Sequence, residues 1–418
     1  MKRLVILFTA LMIWGTGSLQ AQDSRELQYF RAPDQTGLNQ FEPSKESDTP
    51  YDGFNLRISG SNTLQFQALD HESNTAGALH EIGPNFNLAT SNLDIDAQLH
   101  NGLRMHLRTY LSSRHHSEAW VKGGYLQIDR LDFIEQGFAS ELMDNVTIKV
   151  GHMEINYGDA HFRRSDNGQA IFNPFVGNYL MDSFATEVGG EVYWQQDGFL
   201  FMAGVTNGKL NQSVVDSQIM TRPSVVGKIG LDRQLDQDLR VRLTGSVYHT
   251  SQSGGNTLYT GDRAGARYYN VMTASTADFR TGRWNPAFNN EVTAFMLNPF
   301  VKYQGLEFFG LIEQASGKSA AEADRRAFTQ LGAELLYRFG TAEQIYLGGR
   351  YNLVTGEEIG SGLDVDVTRI NVGGGWFMTR NVLAKLEYVT QKYDGFATGS
   401  LYDGGTFNGL MLEAVISF

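Results

Sequence analysis

From Phe54 to the end of the chain, apolar and polar residues alternate with a period of two, and this alternation constrains the fold more than any other feature. Leu93, Ile95, Ala97 and Leu99 interleave with Asn92, Asp94, Asp96 and Gln98, and Leu239, Val241, Leu243, Gly245 and Val247 with Arg240, Arg242, Thr244, Ser246 and Tyr248. Leu331, Ala333, Leu335, Tyr337 and Phe339 likewise share one face, opposite Gln330, Glu334 and Arg338. A period of two is that of a strand with one apolar and one polar face. A soluble sandwich gives the same pattern, so length decides. These segments commonly run 11–15 residues, against about 5–6 in soluble sheets and about 9–11 needed to cross a bilayer as a tilted strand.

Sixteen such segments are predicted, at 54–69, 86–99, 102–114, 119–132, 145–155, 185–195, 198–207, 223–233, 238–251, 292–303, 305–316, 326–339, 343–355, 364–378, 380–392 and 407–418. The connections alternate. Tight ones such as His100-Asn101 and Gln196-Asp197 follow even-numbered segments, and long ones such as 156–184 and 252–291 follow odd-numbered ones. A longer connection from Phe133 to Asp144 falls on the tight side and has room for a helical turn. Short periplasmic turns and long outer loops are the asymmetry of an outer-membrane barrel. The expected fold is therefore all-β, a transmembrane antiparallel up-and-down β-barrel of about sixteen strands with both termini periplasmic. Trp194, Tyr303, Phe339, Trp376 and Phe418 sit at segment ends, where an interfacial aromatic girdle belongs. Leu410, Leu412, Ala414, Ile416 and Phe418 share one face of the last segment, which must close against the first to leave no edge in the bilayer.

Composition agrees with export and a polar interior. Lys2 and Arg3 precede the apolar run Leu4–Trp14, and a small-residue stretch ends at Ala21, so residues 1–21 read as a secretory signal. There is no cysteine, which excludes a disulfide scaffold and thiolate metal sites. A net charge of −12 argues against nucleic acid as a partner. Residues 22–51 are polar and broken by Pro33, Pro43 and Pro50, an extended periplasmic arm too short for a globular plug.

Asn156–Ala185 interrupts the alternation. It carries Asp159, His161, Arg163, Arg164 and Asp166 within eight residues, then an apolar and aromatic run. An aperiodic stretch of that length inside a compact domain points to a functional loop. Lying after the fifth predicted strand, it is the third outer loop, and it is expected to fold into the lumen as a constriction, packed there by Phe172, Phe175, Tyr179, Leu180 and Met181. Arg104, Arg108, Arg240, Arg242, Arg338, Arg350, Lys385 and Glu387 fall on inward faces and are the expected pore lining. So many ionised groups suit an aqueous lumen better than a dry core, and both signs are present, which leaves the sign of ion selectivity open.

Two other readings compete. A rim hydrolase would draw on His115, His116 and Ser117, or on Asp159, His161 and Ser165, but neither spacing forces nucleophile, base and orienter together. An occluded structural or binding barrel would use 252–291 as an outer docking surface. Carboxylate groups such as Glu357, Glu358 and Asp364, or Asp262 and Asp278, read as solvated loop charge rather than a metal site. Gly373-Gly374-Gly375 lies on a predicted strand, where glycines ease curvature or make room for a neighbour in the lumen.

The run RRSDNGQAIFNPFVGNYLMDSFATEVGGEVYW, the downstream GVTNGKLN, the early GLNQFEPSKESDTPYDGFNLRISG and the terminal Phe418 resemble porin-type outer-membrane proteins of Bacteroidota, broadly similar to the phosphate-selective porin superfamily. The resemblance implies a sixteen-stranded barrel, passive diffusion of small hydrophilic solutes or ions, and a homotrimer. Phosphate specificity is not carried over, because carboxylates interrupt the basic inward face. The expected surroundings are outer-membrane lipid and lipopolysaccharide, with no cofactor.

Overall fold

In a computed structural model, the chain is described at residues 26–47, 49–87, 89–112, 119–208, 221–261, 268–275 and 280–418. The expected signal 1–21, the His115-His116-Ser117 group, Asp262 and Asp278 lie outside these residues. The alternating segments all form strands: β1 (Asn55–Glu72), β3 (Thr90–His100), β4 (Leu103–Ser112), β5 (Trp120–Ile128), β6 (Val146–Glu154), β7 (Thr186–Gln196), β8 (Phe199–Thr206), β9 (Ser224–Gln234) and β10 (Leu239–Thr250). They continue with β11 (Glu291–Tyr303), β12 (Leu306–Lys318), β13 (Arg326–Phe339), β14 (Ile345–Glu357), β15 (Asp364–Thr379), β16 (Val382–Asp394) and β17 (Thr406–Ser417). A two-residue strand, β2 (Asn85–Phe86), laps onto β1 at Phe66 and Gln67. The other sixteen are the staves of the barrel.

Each stave pairs antiparallel with its sequence neighbours, and the sheet closes where β1 meets β17, from Ser61 opposite Ser417 to Glu72 opposite Thr406. The same strand pairs with β3 from Asn55–Gln98 to Thr63–Thr90. Closure removes both sheet edges, as a hydrocarbon environment requires. At one end the connections are tight: Asn101-Gly102, Asp197-Gly198, Gln304-Gly305 and Arg380-Asn381. Asp197 and Gly198 both take positive φ, 51° and 79°, the pattern of a two-residue hairpin turn matched to strand twist. The wider 129–145 connection holds one helical turn, Ser140–Met143, as expected. Both described chain ends lie at this same end of the barrel.

Burial runs inside out. Leu331, Leu335, Tyr337 and Phe339 of β13 face outward, while Gln330, Glu334, Leu336 and Arg338 are buried inside. Leu410, Leu412, Ile416 and Phe418 are all exposed on the outer wall, as their shared face predicts, opposite the buried Met411, Glu413, Val415 and Ser417. Trp194, Tyr303, Phe339, Trp376 and Phe418 are outward-facing too. Each lies toward the tight-turn end of its strand, so they form one girdle.

Candidate functional site

The lumen is filled from two directions, and this shapes the site. Residues 155–185 run through the interior and bond to wall strands nearly all the way round. Asp159 N–H donates to Asn298 (2.8 Å), Leu180 N–H to Asn352 (2.6 Å), Met181 N–H to Gln330 (2.9 Å) and Val176 N–H to Glu387 (2.9 Å). On the facing side, Asn92 donates to the Asp166 carbonyl (3.1 Å) and Thr63 to the Gly168 carbonyl (2.6 Å). An aperiodic segment leaves its backbone polar groups without a ladder, and inward-facing Asn, Gln and Glu side chains supply the missing partners. Glycines give the room. A Cβ on Gly332 would lie 2.6 Å from the Tyr179 ring, and one on Gly375 would lie 2.5 Å from the ring of Tyr346, whose hydroxyl donates to Pro174 (3.0 Å). Gly375 is thus the clearance expected of the Gly373–Gly375 run.

The charged residues divide into two groups. Asp159 is fully enclosed: Arg242 grips it through Nε–Oδ2 (2.8 Å) and Nη2–Oδ1 (2.9 Å), and Lys228 reaches Oδ1 at 2.8 Å. Glu42 completes the cluster, at 2.7 Å from Arg242 and 2.9 Å from Lys228. Two cations and two carboxylates therefore join the loop, the N-terminal arm and the wall strands β9 and β10. Burial alone would raise the Asp159 carboxyl, but Arg242 and Lys228 reverse this and hold it well below the usual carboxylate range. Arg163 is enclosed as well, set between Glu307 (2.7 Å) and Glu334 (3.0 Å), which also pair with Arg338 and Arg350 respectively.

The second group borders open space. A cavity of about 210 Å³ runs beside β3–β7, closed on its other side by the loop and the arm. His161, Arg164 and Asp166 line it, with Asp94, Asp96, Arg104, Arg108, Lys122, Lys149, Glu154 and Arg31. Arg164 is paired with Asp182 (Nη2–Oδ2 2.6 Å) and lies over the Phe184 ring at 3.8 Å. Arg108 holds Asp94 bidentately (2.8 and 2.7 Å) and reaches Asp166 at 3.2 Å. Six cationic side chains face four carboxylates, Asp94, Asp96, Glu154 and Asp166, in a chain whose overall charge is −12.

Of the expected pore lining, then, all eight residues face inward, but only Arg104 and Arg108 border this cavity. Arg242, Arg338, Arg350, Lys385 and Glu387 are covered by the loop and arm, while Arg240 is half-buried beside Asp232 (2.7 Å). An open aqueous lumen was the expectation for so many charges; instead most of them are enclosed and paired. Among the apolar loop residues, Phe175, Tyr179, Leu180 and Met181 are buried, whereas Phe172 lines the cavity.

One detail of each competing reading is corrected here. Asp159, His161 and Ser165 do not assemble: His161 contacts Glu154 (2.8 Å) and Asn156 (2.9 Å), and the Ser165 N–H donates to Asn178 (2.9 Å). The described parts of 251–290 also turn inward rather than out. Leu258, Tyr259, Tyr269 and Val271 are buried, and Trp284 N–H donates to the Leu180 carbonyl (2.8 Å). Their apolar and aromatic side chains leave water by capping the inner loop. Among the described residues no group of three His, Asp or Glu side chains is placed to hold a metal ion.

Sequence reasoning missed Arg31, Asn39, Glu42 and Asp182. The arm has no period to assign its faces, and its only signal was charge set beside aromatics, as in Phe30-Arg31 and Phe41-Glu42.

No family model and no curated protein matches the sequence. Solved structures do. The outer-membrane protein OmpT of Vibrio cholerae, solved also in a trimer form, is 12% identical at a TM-score of 0.50, over 88% of this chain and 99% of its own. An anion-selective porin from Comamonas acidovorans is 10% identical at 0.52 (87% and 100%), and OprB of Pseudomonas putida 9% identical at 0.53 (88% and 94%). The chain therefore has the sixteen-stranded closed barrel fold of Gram-negative outer-membrane porins.

Proposed function

We propose that this protein is an outer-membrane porin, a passive diffusion channel for small hydrophilic solutes or ions, narrowed by the inward segment 155–185. The observation that carries this reading is the charged cavity between β3–β7 and that segment, in a barrel of porin fold. The constriction role falls to His161, Arg164 and Asp166, and the enclosed Asp159 and Arg163 serve as anchors. Asp159, His161 and Ser165 do not come together as a catalytic arrangement, and the reading proposed is of a channel without enzymatic activity. We further propose a homotrimer, and kinship with the Bacteroidota porins on the quoted sequence runs alone.

Purified protein in planar bilayers is expected to give discrete conductance steps, and the reversal potential across a salt gradient to show a preference for anions. Absence of any conductance from correctly assembled barrels would overturn the channel reading. One observation favours a second reading, an occluded binding barrel: the enclosure of most inward charges by loop and arm. Silent bilayers with saturable binding of a partner would establish it.

A further inference from the structure

The N-terminal arm is more than a tail. Its anchors fall on opposite walls. Pro33 accepts from the Ser417 hydroxyl on β17, and Gln35 N–H donates to Arg380 (2.9 Å) in the turn before β16. Asn39 donates to Glu307 on β12 (2.7 Å), Glu42 pairs with Lys228 on β9 and Arg242 on β10, and Lys45 reaches Asp129 (3.3 Å) and the Val146 carbonyl (2.8 Å). Going round the barrel, β17 and β9 are half a circuit apart. The arm is thus stretched across the lumen at the tight-turn end and fixed on both sides.

Arg31 lies in this strap and borders the cavity. Its Nε donates to the Gly37 carbonyl (2.9 Å) and Nη2 to the Phe162 carbonyl (3.1 Å), and its guanidinium stacks 3.7 Å above the Phe172 ring. The arginines beside it are neutralised differently: Arg104 by Asp96, Arg108 by Asp94 and Arg164 by Asp182. Arg31 has no carboxylate in ion-pair distance among the described residues, and on the facing wall neither has Lys149, which sits over the Tyr125 and Tyr193 rings (5.7 and 5.0 Å). A guanidinium bonded only to carbonyls and a ring, with Glu154 across the cavity rather than against it, has no contacting counter-charge to mask it from a passing ion.

We infer that the N-terminal arm is a second constricting element, built into the channel from the periplasmic side, and that Arg31 is the selectivity-determining residue it contributes. The inference rests on the reading of the protein as a channel. Anions then pass between Arg31 and Lys149, and the strap keeps them from the rest of the lumen.

The full chain reconstituted in planar bilayers tests this, with heat-modifiable migration as the check that each variant forms a barrel. An ion passing at about 6 Å in a water-like dielectric feels each unit charge as roughly a threefold change in relative permeability. Arg31→Glu is expected to lower the anion-to-cation permeability ratio by that factor or more, and Arg31→Lys to keep it. Because the chain has no cysteine, a single thiol can be placed cleanly. For Arg31→Cys, a cationic methanethiosulfonate is expected to restore the wild-type ratio and an anionic one to lower it further; the same reagents on Gln40→Cys, exposed on the same arm, are expected to change nothing. Conducting wild-type channels whose ratio is unmoved by Arg31→Glu and by both reagents would overturn the inference while leaving the channel reading intact. Wild-type barrels that never conduct would overturn both.

Discussion

Asp159 illustrates how a loop without secondary structure is held in place. Its carboxylate accepts from Arg242, Lys228 and Thr244 (2.8 Å), so removing its charge leaves Lys228 with Glu42 alone and Arg242 with Glu42 and the partly exposed Asp232 (3.1 Å). Stranding a buried ion costs about 3–5 kcal/mol. Asp159→Asn is accordingly expected to lower the urea midpoint of the barrel, or to release the loop to protease if the wall holds without it. The folded-state pKa of Asp159 is depressed, so its stabilising contribution is complete above the ordinary carboxylate value of about 3.9 and is lost only as pH falls through the lower folded one. Loop protection from protease should therefore be unchanged between pH 7 and pH 5 and fail in strong acid. Gly332 is the steric counterpart. With the Tyr179 ring where a Cβ would stand, Gly332→Leu should expel the ring, and a rise in conductance with barrel assembly preserved is the expected reading. No change in conductance would mean that the loop does not limit flow there.

At the scale of elements, the segment 155–185 is one strip with two edges. Arg163 is enclosed between Glu307 and Glu334, whereas the adjacent Arg164 borders the cavity. Neutralising the two separately divides anchoring from selectivity. Arg164→Gln is expected to shift the reversal potential toward cations, and also to lower stability, because it leaves the buried Asp182 without its cation. Arg163→Gln, which leaves two buried carboxylates short of a partner, is expected to loosen the loop without that shift. Equal shifts in reversal potential from both variants would count against this division. The loop was recognisable in the sequence because it breaks the alternation; which of its arginines turns to the wall was not, because an aperiodic backbone gives side chains no fixed direction. Strand residues behaved differently: each of the eight expected lining residues does face inward, since the pleat fixes that direction. Which of them a solute could meet depends on what covers them, and that is decided by the loop, the arm and 251–290.

For the whole molecule, the wall and its contents follow different rules. The outer face is apolar and capped at the tight-turn end by the girdle from Trp194 to Phe418. Detergent-solubilised protein is expected to elute as a trimer, and chemical cross-linking before denaturation should give bands up to three chains; a monomer by both measures would remove the trimer proposal. Within the barrel, the cavity of about 210 Å³ lies to one side, so conductance should be low for a barrel of sixteen strands and should rise when Glu42→Gln frees the arm from Lys228 and Arg242.

The sequence by itself determined the wall: sixteen staves, their inward and outward faces, the tight and wide ends, and the closing strand. These follow from a period of two, from strand length and from turn residues, all local properties that a bilayer enforces by tolerating no unpaired backbone. Tertiary structure alone decided how far the lumen is filled and where open space remains. The contacts that settle it, Glu42 with Arg242, Arg163 with Glu307 and Tyr259 with Glu313 among them, join residues 54 to 200 positions apart, and no local pattern encodes such pairs.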